Sequence, residues 1–268
     1  MKPVRIQPKF VERVWGSRAL EPWFLNRAEK IGEVWFPVSD DYPLLVKFLF
    51  TSDRLSVQVH PDDDYAAANH NGSRGKTEMW HILRADPGST IALGFTREIM
   101  RAELRAASEN GAIVDLLRWI PVNAGETYLT PAGTVHAIGG GIVLCEIQQN
   151  SDITYRLYDY NRKPERELHL DHGEEVSHLG PYPAVSLDRV ACRYFETDKL
   201  GISSPRQHAP KADELLIVLR GSGILAGEAF APGQVWHVPE GTPPFTIKPE
   251  NTARLLRTYP PLVDSGKL

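Results

Sequence analysis

Gln58 and His60 lie two residues apart in Leu55-Ser56-Val57-Gln58-Val59-His60, a run that reads as a strand, so both side chains leave the same face. Glu78 stands where apolar character resumes, in Gly75-Lys76-Thr77-Glu78-Met79-Trp80, near the start of the next strand, and Lys76 shares its face. His136 follows Pro131-Ala132-Gly133, which reads as a type I turn with Pro at its second position and Gly at its fourth. Two imidazoles, a carboxylate and an amide oxygen form a donor set suited to zinc or another borderline divalent cation. A Gln-x-His pair alone is weak, because a strand-borne histidine is more often a hydrogen-bonded wall residue. The four residues together carry the metal reading.

The elements that must hold these residues are short strands separated by turns. With 21 Gly and 21 Pro, turn signals recur every few residues and helical periodicity is scarce. Residues 44–50, 55–60, 141–147, 215–219 and 233–238 read as strands, and that spacing predicts a mainly β chain of barrel or jelly-roll type. Two helical segments interrupt it. Residues 61–68 carry Pro61 at the first helical position with Asp62 and Asp63 in the first turn, where the helix dipole favours acids. Residues 96–119 form a helical insert, with Thr96 as N-cap, an apolar face of Met100, Leu104 and Ala107, and a break at Asn110-Gly111.

The turn-rich joint 179–183 marks a boundary between a metal-binding domain, 1–179, and a second domain, 180–268. Gly125-x5-Pro131-x-Gly133 is echoed by Gly233-x5-Pro239-x-Gly241, so the halves read as two tandem barrels. In the second, Pro244 falls where a metal-binding histidine would stand, and His208 and Glu214 remain without a partner pair. That barrel reads as metal-free and structural.

The net charge of −4 on 268 residues carries no strong field, which argues against nucleic acid as the main partner. No run approaches a membrane span and the N-terminus builds no apolar signal segment. Cys145 and Cys192 make no metal or redox spacing and read as reduced core thiols of a cytoplasmic protein.

Gly125-x5-Pro131-x-Gly133-x2-His136 matches the second cupin motif, save that Gly140 takes its final Asn position. The first cupin motif usually offers His-x-His and then Glu; here Gln58 stands in for the first His. That substitution, in Ser56-Val57-Gln58-Val59-His60-Pro61-Asp62-Asp63, resembles the type I mannose-6-phosphate isomerases, in their short bacterial form. So do Gly75-Lys76-Thr77-Glu78, Pro131-Ala132-Gly133-Thr134-Val135-His136-Ala137 and the segment from Glu146 to Tyr160. The opening agrees, with Val14-Trp15-Gly16 and Ile31-Gly32-Glu33-Val34-Trp35, so the likeness covers roughly residues 10–170.

The resemblance implies one zinc ion held by Gln58, His60, Glu78 and His136, and interconversion of mannose 6-phosphate and fructose 6-phosphate. That reaction moves a proton between adjacent carbons and stabilises enediolate oxygens. Arg156 matches the family's active-site arginine, and its planar fork suits an enediolate or a phosphate. Glu146, in an apolar run and sharing parity with Ile142 and Leu144, is the leading acid–base residue, since burial raises a carboxyl pKa. Lys76 is a third catalytic candidate, able to bind sugar or phosphate. The partner implied is a small-molecule sugar phosphate, without nucleic acid or membrane, on a monomer or homodimer. Two other classes stay open: an oxygen-using metal cupin, against which Gln58 weighs, and a silent sugar-binding cupin, which Arg156 or Glu146 pointing away from the metal would favour.

Overall fold

The computed structural model describes residues 1–261 and is mainly β, with 42% of residues in strands and 11% in helices. Its strands form two tandem cupin-type jelly-roll barrels, each from a large and a small antiparallel sheet. In the first barrel the six-stranded sheet runs in the order 9–17, 31–36, 44–50, 142–149, 78–85, 127–130. The five-stranded sheet opposite runs 155–158, 57–59, 136–138, 90–95, 117–121. The second barrel pairs a six-stranded sheet with a four-stranded one, and Val4–Arg5 joins its larger sheet against Trp236 and His237.

Strand alternation decides what each barrel covers. Along Ile142–Gln149, Ile142 and Leu144 face the first barrel's interior with Leu49, Trp80 and Ile82. Val143, Cys145 and Ile147 face the other way, into a core shared with Leu215, Ile217, Val235 and Leu256 of the second barrel. The two large sheets therefore lie face to face across one apolar layer. Each fully buried Leu, Ile or Phe in it contributes about 1.5–3 kcal/mol over exposure. Cys145 is buried there and Cys192 is half-buried, both as free thiols.

The sequence repeat is a structural repeat. Thr134 N donates to Pro131 O at 3.1 Å, and Thr242 N to Pro239 O at the same distance. Each turn therefore begins at its proline and puts glycine third, with φ of 82° at Gly133 and 76° at Gly241. That is type II chemistry, which requires a left-handed third residue, and it corrects the type I expectation.

The helices also depart from their expected ends. The first spans Asp63–Asn69, with Asp62 as N-cap accepting from Tyr65 N at 2.9 Å, so Pro61 precedes the cap. In the insert, helix Arg101–Asn110 begins after Met100, and no side chain caps it. Thr96 is not the cap: its N–H and hydroxyl both donate to Leu116 O, which pins the connection in non-helical form. Gly111 ends the helix with φ 87°, a short helix Ile113–Leu116 follows, and Trp119 already lies in the strand Leu117–Pro121. A further helix, Leu170–Val176, had no signal in the sequence reading. No helix among the described residues is long and apolar enough to cross a membrane.

Candidate metal centre

His60 directly follows the short strand Val57–Val59, Glu78 opens the strand Glu78–Ala85, and His136 opens His136–Ile138. All three are buried, and one ligand atom from each lies within 4.8 Å of the others. Glu78 divides its carboxylate between the rings: Oε2 lies 3.5 Å from His60 Nε2, and Oε1 lies 3.5 Å from His136 Nε2.

Backbone carbonyls fix both tautomers. His60 Nδ1 donates to Ile153 O at 2.9 Å and His136 Nδ1 to Thr134 O at 2.8 Å, which turns both Nε2 lone pairs inward. Burial, reinforced by the Lys76 ammonium, lowers the His60 pKa to about 3. Burial likewise lowers that of His136. Burial would raise the carboxyl pKa of Glu78, but Lys76 and the two rings outweigh it and hold it well below the usual range. Near neutral pH the trio is two neutral imidazoles and a carboxylate.

Lys76 Nζ is 2.8 Å from Glu78 Oε2 and 3.0 Å from His60 Nε2. The carboxylate contact is an ion pair without hydrogen-bond alignment, since Glu78 Oε2, fully buried, has no hydrogen-bond partner among the described residues. A buried carboxylate whose two oxygens each face one imidazole Nε2 is a donor set that suits a small borderline dication, and the Lys76 ammonium neutralises one side of it. Gln58 pairs in register with His136 and sets its amide 3.3 Å from that ring's Nε2. Rotation about the last torsion exchanges the ends of an amide, so the same placement can offer a cation Oε1.

Gln58 and Lys76 bring this cluster to the wall of a cavity of about 500 Å³. Glu146 and Arg156 line the same cavity, whereas His60, Glu78 and His136 are not part of its wall. Glu146 pairs in register with Trp80 on one side and Lys47 on the other. Its Oε2 accepts from Trp80 Nε1 at 3.2 Å, and its Oε1 lies 3.6 Å from Lys47 Nζ. Burial, then repulsion from Glu78, raises its pKa to about 7, and Lys76 and Lys47 restrain the rise. Arg156, on Tyr155–Tyr158, gives one guanidinium N–H to Glu167 O at 2.8 Å, while its Nε has no hydrogen-bond partner among the described residues.

Sequence reasoning missed Lys47, the one charge in Leu44-Leu45-Val46-Lys47-Phe48-Leu49-Phe50, where it sits 4.5 Å from the Trp35 ring centroid. A fully buried lysine in an apolar strand was itself the signal, because such a charge needs a partner. Arg13 and Trp15 also line the cavity, brought there by strand order across the sheet. His81 faces away from Glu78, as parity required, and its Nδ1 meets Thr127 Oγ1 at 2.8 Å. In the second barrel, Glu214 is opposite Val238, the counterpart of Thr130 opposite Glu78, and its carboxylate contacts His208.

No protein-family model matches the chain. The mannose-6-phosphate isomerase ManA of Bacillus subtilis (strain 168) is 33% identical to it over an alignment covering 92% of this chain and 96% of that protein. A mannose-6-phosphate isomerase of Streptococcus mutans is 42% identical over 171 residues, 62% of this chain and 53% of the relative. The crystal structure of a Bacillus subtilis mannose 6-phosphate isomerase superposes with a TM-score of 0.86 at 29% identity, covering 97% of this chain and all of that one. A zinc-bound mannose 6-phosphate isomerase has the same fold, with a TM-score of 0.75 at 16% identity. The chain belongs to the mannose-6-phosphate isomerase family.

Proposed function

We propose that this chain interconverts mannose 6-phosphate and fructose 6-phosphate in the cavity bounded by Gln58, Lys76, Glu146 and Arg156. The observation that carries the assignment is the shared wall: the acid–base candidate Glu146 and the fork-shaped cation Arg156 line one cavity with Gln58 and Lys76, the two residues that touch the metal cluster. That sharing counts against a silent sugar-binding barrel. His60, Glu78 and His136, with Gln58 turned to present Oε1, would hold one zinc ion, which supplies Lewis-acid stabilisation of negative charge on substrate oxygen.

Glu146 takes the proton from one sugar carbon and returns it to the neighbouring one. A pKa near 7 lets it hold and release that proton at neutral pH. The free N–H groups of Arg156 donate to the oxygen on which charge develops, and Lys76 adds a fixed positive charge beside it. Lys47 keeps Glu146 from being trapped in its protonated form. We assign residues 1–179 to the catalytic unit and 180–268 to a metal-free companion, since the cluster and the cavity wall come from residues 12–166. Two free thiols support a reducing, cytoplasmic setting, and we read the working unit as a monomer or homodimer.

The test couples fructose 6-phosphate formation to a reporter after adding mannose 6-phosphate to zinc-loaded protein, with and without chelator. Turnover that chelation abolishes and zinc restores is expected. A folded, zinc-loaded sample with no turnover would sink the assignment.

A further inference from the structure

Arg156 lies on an edge strand. Its residues pair with Val57–Val59 on one side only, and Arg156 stands opposite Gln58 in register. The main-chain N–H and C=O of Arg156 point to the open side, where an unpaired edge leaves such groups to water or another chain. A single residue satisfies both. Arg156 N donates to His169 Nδ1 at 3.0 Å, and His169 N donates back to Arg156 O at 2.8 Å. Two residues earlier, Glu167 O accepts from the guanidinium at 2.8 Å. Segment 167–169 thus holds both ends of the arginine, its backbone and its charged head.

The clamp is anchored on its far side. His169 is the N-cap residue of helix Leu170–Val176, and its carbonyl accepts from Gly173 N at 2.8 Å. Gly173 packs so closely that a Cβ there would meet Leu157 Cδ2 at 2.4 Å, and His172 stacks on Tyr155 with centroids 5.0 Å apart. The helix therefore grips the two residues flanking Arg156 while His169 grips Arg156 itself.

We propose that His169 is a positioning residue for Arg156, acting through Nδ1 as an obligatory hydrogen-bond acceptor. The inference rests on the reading of Arg156 given above. The role requires the neutral Nε2–H tautomer, because an imidazolium has no acceptor. The charged and titratable neighbours of the ring are Arg156 and Tyr155 on the strand, Glu167 on its own loop and His172 on the helix. Burial and the Arg156 charge lower its pKa, which keeps it neutral near pH 7.

The experiment measures kcat, KM, zinc content and melting temperature for His169→Leu, His169→Asn, Arg156→Ala and His169→Leu/Arg156→Ala. Misplacing a transition-state donor by an ångström costs up to about 100-fold, so His169→Leu is expected to lose ten- to 100-fold in kcat, with zinc retained and KM changed less. His169→Asn places an amide oxygen near the Nδ1 position and is expected to recover most of kcat. In the Arg156→Ala background, His169→Leu is expected to add less than about threefold, since both act through one group. Should His169→Leu fail to fold, His169→Gln, with its amide one methylene too far, carries the same expectation. Wild-type kcat in the His169 variants beside an impaired Arg156→Ala overturns the inference alone. An undiminished loss in the Arg156→Ala background also overturns it. Full turnover by Arg156→Ala overturns the Arg156 assignment, and this inference with it.

Discussion

The carboxylates of Glu78 and Glu146 are joined through one donor: Trp80 Nε1 lies 3.0 Å from Glu78 Oε1 and 3.2 Å from Glu146 Oε2. The candidate metal cluster and Glu146, the proposed acid–base residue, are thereby neighbours in one buried network, in which each charge bears on the next.

Glu146→Gln removes the proposed proton carrier and keeps the shape. Its kcat is expected to fall roughly 10²–10⁴-fold, the usual worth of a positioned general acid–base group, with zinc content unchanged. Steady-state kinetics beside metal analysis checks this, and a variant within threefold of wild type would remove Glu146 from the mechanism.

The raised pKa of Glu146 fixes a sign. A base with a pKa of about 7 is protonated below that pH, so activity is expected to climb between roughly pH 6 and 8. Lys47→Met withdraws the cation beside it and favours the neutral carboxyl, so the acid limb should move to higher pH. A pH–rate profile that is unmoved in Lys47→Met counts against the pairing.

His136→Ala should lose zinc and turnover together, and stability as well. Saturating a site at 100 times Kd adds about 2.7 kcal/mol to the folded state, and that increment goes with the ion. Melting curves with and without chelator should differ for wild type and coincide for the variant.

Arg156→Ala separates binding of the ion from chemistry. Zinc is expected to stay and kcat to drop about 10²–10³-fold, the usual effect of removing one donor to a developing oxyanion. Retained activity at full zinc occupancy would contradict the role assigned to its free Nε.

The cluster was legible because two-residue parity places Gln58 with His60, and Lys76 with Glu78, wherever the strands begin or end by a residue. What parity does not give is strand order. Arg13 and Trp15 reach the cavity only because their strand adds to the edge of a sheet assembled from distant segments. Lys47 was readable as an anomaly, but its meaning depended on Glu146 lying opposite in register. Thr96 has the chemistry of a cap, yet Leu116 O claims its N–H and hydroxyl, a tertiary contact that overrides local preference. The helix Leu170–Val176, with glycine at its centre, is too short to announce itself, and its fit against Leu157 is what holds it. His169 carried no spacing signal for the same reason.

Cys145 and Glu146 are consecutive residues of one strand, the first in the core shared with the second barrel and the second at the cavity. A single peptide unit therefore separates Glu146 from the residue that packs in one core with Leu215, Ile217 and Leu256. Because the core is close-packed, substitutions that change the volume of those apolar side chains are expected to shift the strand and be felt at a carboxylate they never touch. The packing of the second barrel is thereby coupled, through one strand, to the wall of the first barrel's cavity.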